Sequence, residues 1–318
     1  MTAAPDLDPF LGPESGLLAR LTAHPWSKRG LQIGRWAIAL ALLVIIGRRL
    51  TELGWREIWI ARPAGILFYL LLVAQFFVQP SGDFFIYRNL WGTGNYPSLW
   101  VILRKRFLNN VMDYTGEVFF FFWAQRHVKL PTATLVHSIK DSNILSAGAG
   151  LAMVWLMAPL LVLTGGLHLP DRLVGQAWLY VMLGSLPLFL CAVLVLAHRK
   201  VTVLSRGQIA ATFGIHFFRA LLMLVVEFFL WTVSGALPSP VACLQFVALR
   251  LVVTRLPLIP NKDLIFVGAG IAAAGITKVA VTPVATVLVI LAAVDLVLGV
   301  FFAGIPWALD HFRKDAAQ

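Results

Sequence analysis

Apolar runs recur along the chain from position 31 onward, separated by short polar breaks. Six of them, at 31–47, 63–79, 143–167, 173–197, 208–237 and 282–305, reach or approach a crossing length. An α-helix needs ~20 such residues to cross the ~30 Å hydrocarbon layer. Only helices and closed barrels satisfy their backbone hydrogen bonds in lipid, and these runs are far longer than barrel strands. The pattern predicts an all-α polytopic membrane protein with about six full spans. It divides into a polar tail at 1–30, one transmembrane domain at 31–305 with halves at about 31–167 and 173–305, and a tail at 306–318.

Two regions break the pattern. At 104–129, "RKRFLNNVMDYTGEVFFFFWAQRHVK", the apolar pieces 107–112 and 118–124 are interrupted by Asp113, Gly116 and Glu117, and neither approaches a crossing length. Basic residues stand on both flanks, so the positive-inside bias predicts a segment that enters and leaves from the cytoplasmic face. At 241–277 two short arms flank "PLIPNKD", residues 257–263. Pro257 and Pro260 lack an N–H and push the preceding residue out of the helix, which stops the first arm. With "HRK" at 198–200 and "HFRK" at 311–314 on the cytoplasmic side, this second segment dips in from outside. Two broken hairpins opening to opposite faces predict re-entrant hairpins arranged as inverted repeats, with a site near the midplane. The alternative is ordinary loops between short, tilted spans.

Composition changes little. The chain is 59% hydrophobic and 13% charged, with mean hydropathy +0.82, and its 26 basic against 15 acidic residues give +11. In a membrane protein that excess reads as cytoplasmic loop charge and attraction to anionic headgroups rather than nucleic-acid binding. Arg48, Arg49, Arg56 and Arg62 fall on the outer face in this topology. A "TELGWREIWIARP" segment lying along the interface, tryptophans at headgroup depth, would accommodate them. No apolar stretch precedes "SKRG" at 27–30, so no cleaved signal peptide is expected. Cys191 and Cys243 lie in apolar runs with no metal-ligand spacing, so neither a disulfide framework nor a metal site is expected.

Ionisable residues inside apolar runs are the functional candidates. In "GIHFFRALLMLVVEFFLW", Glu227 falls ~20° and Arg219 ~60° from His216 around the helix, on one face. Arg219 and Glu227 are too far apart to pair with each other, so each meets a partner on another helix or a polar ligand; a structural ion pair is the alternative. Asp295 stands among apolar residues for several turns; Arg250, Arg255 or Lys278 are candidate partners, and uptake of a proton is the alternative. Asp113 and Glu117 lie at i, i+4 and share a face if that stretch is helical. Asn110, Asp113 and Glu117 mark the first hairpin; Arg255, Lys262 and Asp263 mark the second. The "GAGIAAAG" and "SAGAG" stretches allow close helix approach, and plain packing suffices for them. No Walker loop, prenyltransferase motif or nucleophile elbow is present, and no cofactor is expected.

"NNVMDYTGE" at 109–117 and "LPLIPNKD" at 256–263, followed by a small-residue helix and a long final span, resemble the transmembrane region of lysylphosphatidylglycerol synthases and the flippase-like integral membrane proteins related to it. The resemblance covers about 65–309. Asp113 stands where that family usually has Pro, Asn261-Lys262 replace its double glycine, Val267 replaces its Glu, and Asp295 falls where an Arg is often found. It implies two inverted halves with re-entrant hairpins and lipid substrates, without aminoacyl transfer. The expected function is movement of a phospholipid or lipid-linked amphiphile between leaflets of a bacterial inner membrane, the C-terminus cytoplasmic. The pathway would run through Asn110, Asp113, Glu117, His216, Arg219, Glu227, Arg255, Lys262, Asp263 and Asp295. Expected partners are membrane lipids with an anionic or phosphate-bearing headgroup, with a homo-oligomer left open. The alternatives are a membrane-embedded headgroup transferase, with Glu117 or Asp113 as base, or a non-catalytic subunit that recruits a synthase.

Overall fold

The computed structural model describes residues 40, 43–92, 94–111, 114–167, 202–255 and 262–304. Among them the regular structure is helical, without strands. In chain order the helices are α1 (43–53), α2 (Trp55–Ile60), α3 (Ile66–Trp91), α4 (Leu99–Val111), α5 (Thr115–His127) and α6 (Thr132–Leu163). They continue with α7 (Arg206–Ser234), α8 (Pro240–Arg255), α9 (Lys262–Ile276) and α10 (Val281–Gly299), which runs on into a π-helical turn at Val300–Gly304. Four of these, α3, α6, α7 and α10 with its extension to Phe302, are long and apolar enough to cross a membrane. Of the six spans expected from the sequence, 173–197 lies outside the described residues, as does most of 31–47, both tails and the 257–261 turn.

Two boundaries differ from the sequence expectation, for the same reason. Helix α3 does not stop at Gln79 but carries Pro80, Gly82, Asp83 and Arg88 to Trp91. Proline at 80 removes the helical hydrogen bond to the carbonyl four residues back. That carbonyl, Phe76 O, accepts instead from Arg106 Nη1 of α4. Helix α6 likewise begins eleven residues before position 143, because Ser138, Asp141 and Ser142 are buried in protein rather than exposed to lipid. Trp91 Nε1 donates to Ser138 Oγ at 2.8 Å. Asp141 is fully buried and receives Thr202 Oγ1 at 2.5 Å and the Val203 amide at 3.1 Å, which fixes the chain entering α7.

Helices α4 and α5 have 13 residues each, and α8 and α9 have 16 and 15. At 1.5 Å per residue these arms are ~20–24 Å long, short of the ~30 Å hydrocarbon layer. Each pair packs arm against arm. The open end of α4–α5, where Val101 and Val128 pack with Trp91 and Leu135, sits at the N-terminal end of α6. The open end of α8–α9 sits at the other end of α6, where Gln245 Nε2 donates to Gly166 O at 2.7 Å. The two hairpins thus point toward each other along the ~48 Å length of α6. Large apolar side chains fill both ends of the bundle. Phe68, Trp231, Phe246 and Leu288 pack at the α8–α9 end, and Tyr87, Trp91 and Phe120 at the α4–α5 end.

Helix α7 starts with a reciprocal cap. The Gln208 amide donates to Ser205 Oγ at 3.3 Å, and the Ser205 amide donates to Gln208 Oε1 at 3.1 Å. This satisfies two N–H groups that a helix start otherwise leaves open. Ser205→Ala is expected to lower stability by about 1 kcal/mol, measured by denaturant unfolding in mixed micelles, while Ser205→Asn should hold wild-type stability.

Candidate functional site

The polar side chains of the bundle gather where the hairpin tips approach each other. Helix α4 contributes two adjacent stripes. Residues four apart share a helix face and residues one apart are ~100° away. Lys105 and Asn109 therefore address one neighbourhood, Arg106 and Asn110 the next.

The first stripe builds a buried charge cluster. Lys105 Nζ lies 3.1 Å from Asp83 Oδ2, 3.5 Å from Tyr87 Oη and 4.0 Å from Glu117 Oε1. The ammonium also rests 5.1 and 5.2 Å from the ring centres of Tyr87 and Phe120. Asp83 Oδ1 takes Arg219 Nη1, whose Nη2 donates to Ser146 Oγ at 3.3 Å. One turn away on α7, His216 Nε2 pairs with Ser142 Oγ at 3.2 Å. Asp83 joins α4 to α7 through two cations, so the carboxylate ties together three helices.

Asn109 closes the hairpin tip. Its Nδ2 donates to Glu117 Oε1 at 2.9 Å, and its Oδ1 accepts the Gly116 amide at 2.7 Å. Thr115 Oγ1 adds a bond to Leu108 O at 2.7 Å. The turn passes through Tyr114 at φ 68°, in the left-handed region that side chains rarely adopt. Three local bonds hold that conformation and orient Glu117 back toward Lys105.

The second stripe reaches α10. Arg106 Nη2 pairs with Asp295 Oδ1 while Asn110 Nδ2 donates to Asp295 Oδ2 at 2.8 Å. The Arg106 guanidinium also lies 4.3 Å from the Phe76 ring centre. In the second hairpin, Arg250 Nη1 stands 3.6 Å from Glu227 Oε1 and Nη2 stands 3.8 Å from Asp263 Oδ1. Neither distance is a hydrogen bond, and both Glu227 Oε1 and Arg250 Nη1 lack one. Between the Arg106–Asp295 pair and Arg250 lies a cavity of about 20 Å³, room for about one water. Gln75, Arg106, Arg250 and Asp295 line it with apolar walls from Leu72, Phe76, Met223 and Leu291. Gln75 Nε2 is buried there without a hydrogen-bond partner.

The residues singled out from the sequence thus divide. Glu117 with Arg219 falls in the first cluster, with His216 beside it. Asn110 and Asp295 meet directly. Glu227 and Asp263 share Arg250. Lys262, half-buried, opens α9, and Arg255 ends α8. Asp113 lies outside the described residues. Arg219 and Glu227 do find their partners on other helices, Asp83 and Ser146 for one and Arg250 for the other. Asp295 departs from expectation. Its partners among the described residues are Arg106 and Asn110 of the first hairpin rather than Arg250 or Lys278, because α4 reaches α10 beside Asp295; the Arg255 side chain lies outside the described residues. Sequence reasoning missed Asp83, Lys105, Arg106 and Gln75. "RKR" at 104–106 reads as a charged flank, and only its i, i+4 relation to Asn109-Asn110 signals two separate binding stripes. No protein-family model, curated protein or solved structure matches this chain.

Proposed function

We infer that this protein moves an amphipathic lipid between the leaflets of a bacterial inner membrane. In this reading α4–α5 and α8–α9 are re-entrant hairpins of two inverted halves, completed to six spans by the segments at 31–47 and 173–197. The C-terminus and the open end of α4–α5 face the cytoplasm. The reading is supported above all by one observation. Arginine, lysine, carboxylate and amide side chains converge between the two hairpins, well inside the long helices α3, α7 and α10.

Charged groups at membrane depth persist only when paired or facing a hydrated cavity. A headgroup leaving water needs replacement donors and acceptors, and this centre offers both. Arg250 and Gln75 carry donors with unfilled hydrogen-bonding capacity, and Glu117 Oε2 and Glu227 Oε1 carry acceptors in the same condition. The acyl chains stay in lipid while the headgroup passes between the tips.

The test is leaflet exchange in proteoliposomes. Fluorescent phospholipid analogues are reconstituted with the protein, and an impermeant quencher reports the label that becomes reachable. The wild type is expected to equilibrate both leaflets, and Glu117→Gln and Arg219→Gln to lose that activity while keeping the wild-type elution profile and helix content. Normal exchange in both variants would refute this route. Absence of exchange for every lipid with folded wild type would refute translocation.

A further inference from the structure

Residues 43–67 form a unit whose chemistry the translocation reading does not use. Helix α2 lies between Gly54 at φ 86°, which turns the chain sharply after α1, and the buried Pro63 that leads into α3. Ile58 is buried against the bundle, and Thr286 Oγ1 of α10, whose hydroxyl Thr282 O and Ile58 O share, lies 3.2 Å from Ile58 O. Tyr69 Oη donates to Pro63 O at 3.0 Å. The helix is therefore seated on the N-terminal part of α10, at the end of that span.

What α2 leaves outside is of two kinds. Trp55, Trp59 and Ile60 are 57%, 69% and 60% exposed. Arg48, Arg49, Arg56 and Arg62 are exposed beside them. Arg49 is neutralised by Glu52 at 3.1 Å. Arg62 is held at the depth of the indole: its guanidinium lies 4.6 Å from the Trp59 ring centre, and Nη1 donates to Trp59 O at 2.8 Å. Within residues 43–67, Glu57 is the acid left to oppose Arg48, Arg56 and Arg62. Exposed indoles belong at headgroup level, and guanidiniums bind phosphate oxygens through paired N–H groups. The excess of two cations fits an anionic surface and not a neutral one.

We propose that α2 and its flanking arginines form a docking surface for anionic lipid headgroups, seated on α10 at the membrane boundary where α8–α9 opens. The surface stands on geometry independent of the tip-to-tip charge centre, and it holds whether or not the protein moves lipid. A juxtamembrane cation contributes ~1 kcal/mol of attraction to an anionic leaflet, so the preference for anionic over zwitterionic lipid should be severalfold and should weaken with salt.

The test uses the full-length protein in mixed vesicles of phosphatidylcholine and phosphatidylglycerol. In one series the phosphatidylglycerol carries brominated acyl chains, in the other an equal mole fraction of the phosphatidylcholine does. Bromine quenches tryptophan on contact. The chain has 11 tryptophans, so the α2 signal is taken as the difference from a Trp55→Phe/Trp59→Phe variant. Brominated phosphatidylglycerol is expected to quench that component severalfold more, and the Arg48→Gln/Arg56→Gln/Arg62→Gln variant to equalise the two series. All three arginines are exposed, so the variant keeps its fold, which helix content and elution volume check. Equal quenching in the unmodified protein, quenching by neither lipid, or a preference that survives in the triple variant would each overturn the proposal.

Discussion

Replacing Asp83 by alanine should cost about 3–5 kcal/mol of stability, because it strands two buried cations at once. Lys105 and Arg219 come from different helices and are 7% and 15% exposed at the side chain, and Asp83 supplies one oxygen to each. Without it, Lys105 keeps Tyr87 Oη at 3.5 Å, Glu117 at 4.0 Å and the faces of the Tyr87 and Phe120 rings, and Arg219 keeps Ser146. Removing one partner of a buried pair costs more than the pair contributes, since the remaining charge stays desolvated. Equilibrium unfolding in mixed micelles measures the loss. Glu52→Ala, which breaks the exposed pair with Arg49, is the control and should change stability by no more than about 1 kcal/mol. Adding Lys105→Met to Asp83→Ala should recover part of the loss, since it takes away one stranded charge. A small effect from Asp83→Ala would mean that the cluster is hydrated and contributes little to holding α3, α4 and α7 together.

Gly116→Ala is expected to open the first hairpin. A Cβ at that position would fall 2.5–2.6 Å from the Asn109 amide and closer still to the Lys105 carbonyl oxygen. The side chain could turn aside; the backbone carbonyl cannot without bending α4. Relief of the clash separates the arms and breaks the bonds from Asn109 to Gly116 and Glu117. Overpacking of this kind costs about 1–3 kcal/mol, and here the lost hydrogen bonds add to it. In the exchange assay the variant should behave like Glu117→Gln, because Glu117 loses its orientation toward Lys105. The comparison is Gly214→Ala in α7, where the added Cβ meets nothing within 4 Å beyond its chain neighbours and its own helix backbone. That change should stabilise the helix by about 0.5–1 kcal/mol and leave exchange intact. If both glycine variants behaved alike, the close contact at the tip would have no consequence.

Most of the helices were legible because lipid-facing length is a one-dimensional property. The arms at 241–256 and 264–277 became α8 and α9 within two residues, and the runs at 208–237 and 282–305 became α7 and α10. Errors fell where polar residues are buried in protein. Pro80 and Asp83 look like the end of a span, yet both are buried and α3 continues through them. Ser138 and Asp141 look like a loop, yet they lie in α6. Hydropathy counts a buried polar residue as exposed, and no count along the chain can tell a side chain facing protein from one facing water.

The candidate site divides along the same line. Helical periodicity alone placed His216, Arg219 and Glu227 on one face and required partners from elsewhere, and both arginine and glutamate have them. It could not say that Arg219 meets Asp83, 136 residues away, or that Asp295 meets Arg106, 189 residues away. Hydropathy and helical periodicity alone establish a helical membrane protein, its interrupted segments and some of the charges inside its apolar helices, His216, Arg219, Glu227 and Asp295 among them. These follow from the cost of placing each residue type in lipid, a sum over neighbours in the chain. Which charges meet was decided only by the tertiary structure. Pairing depends on how far α4 and α8 reach along α6 from opposite ends, and that depth is fixed by packing between helices distant in sequence.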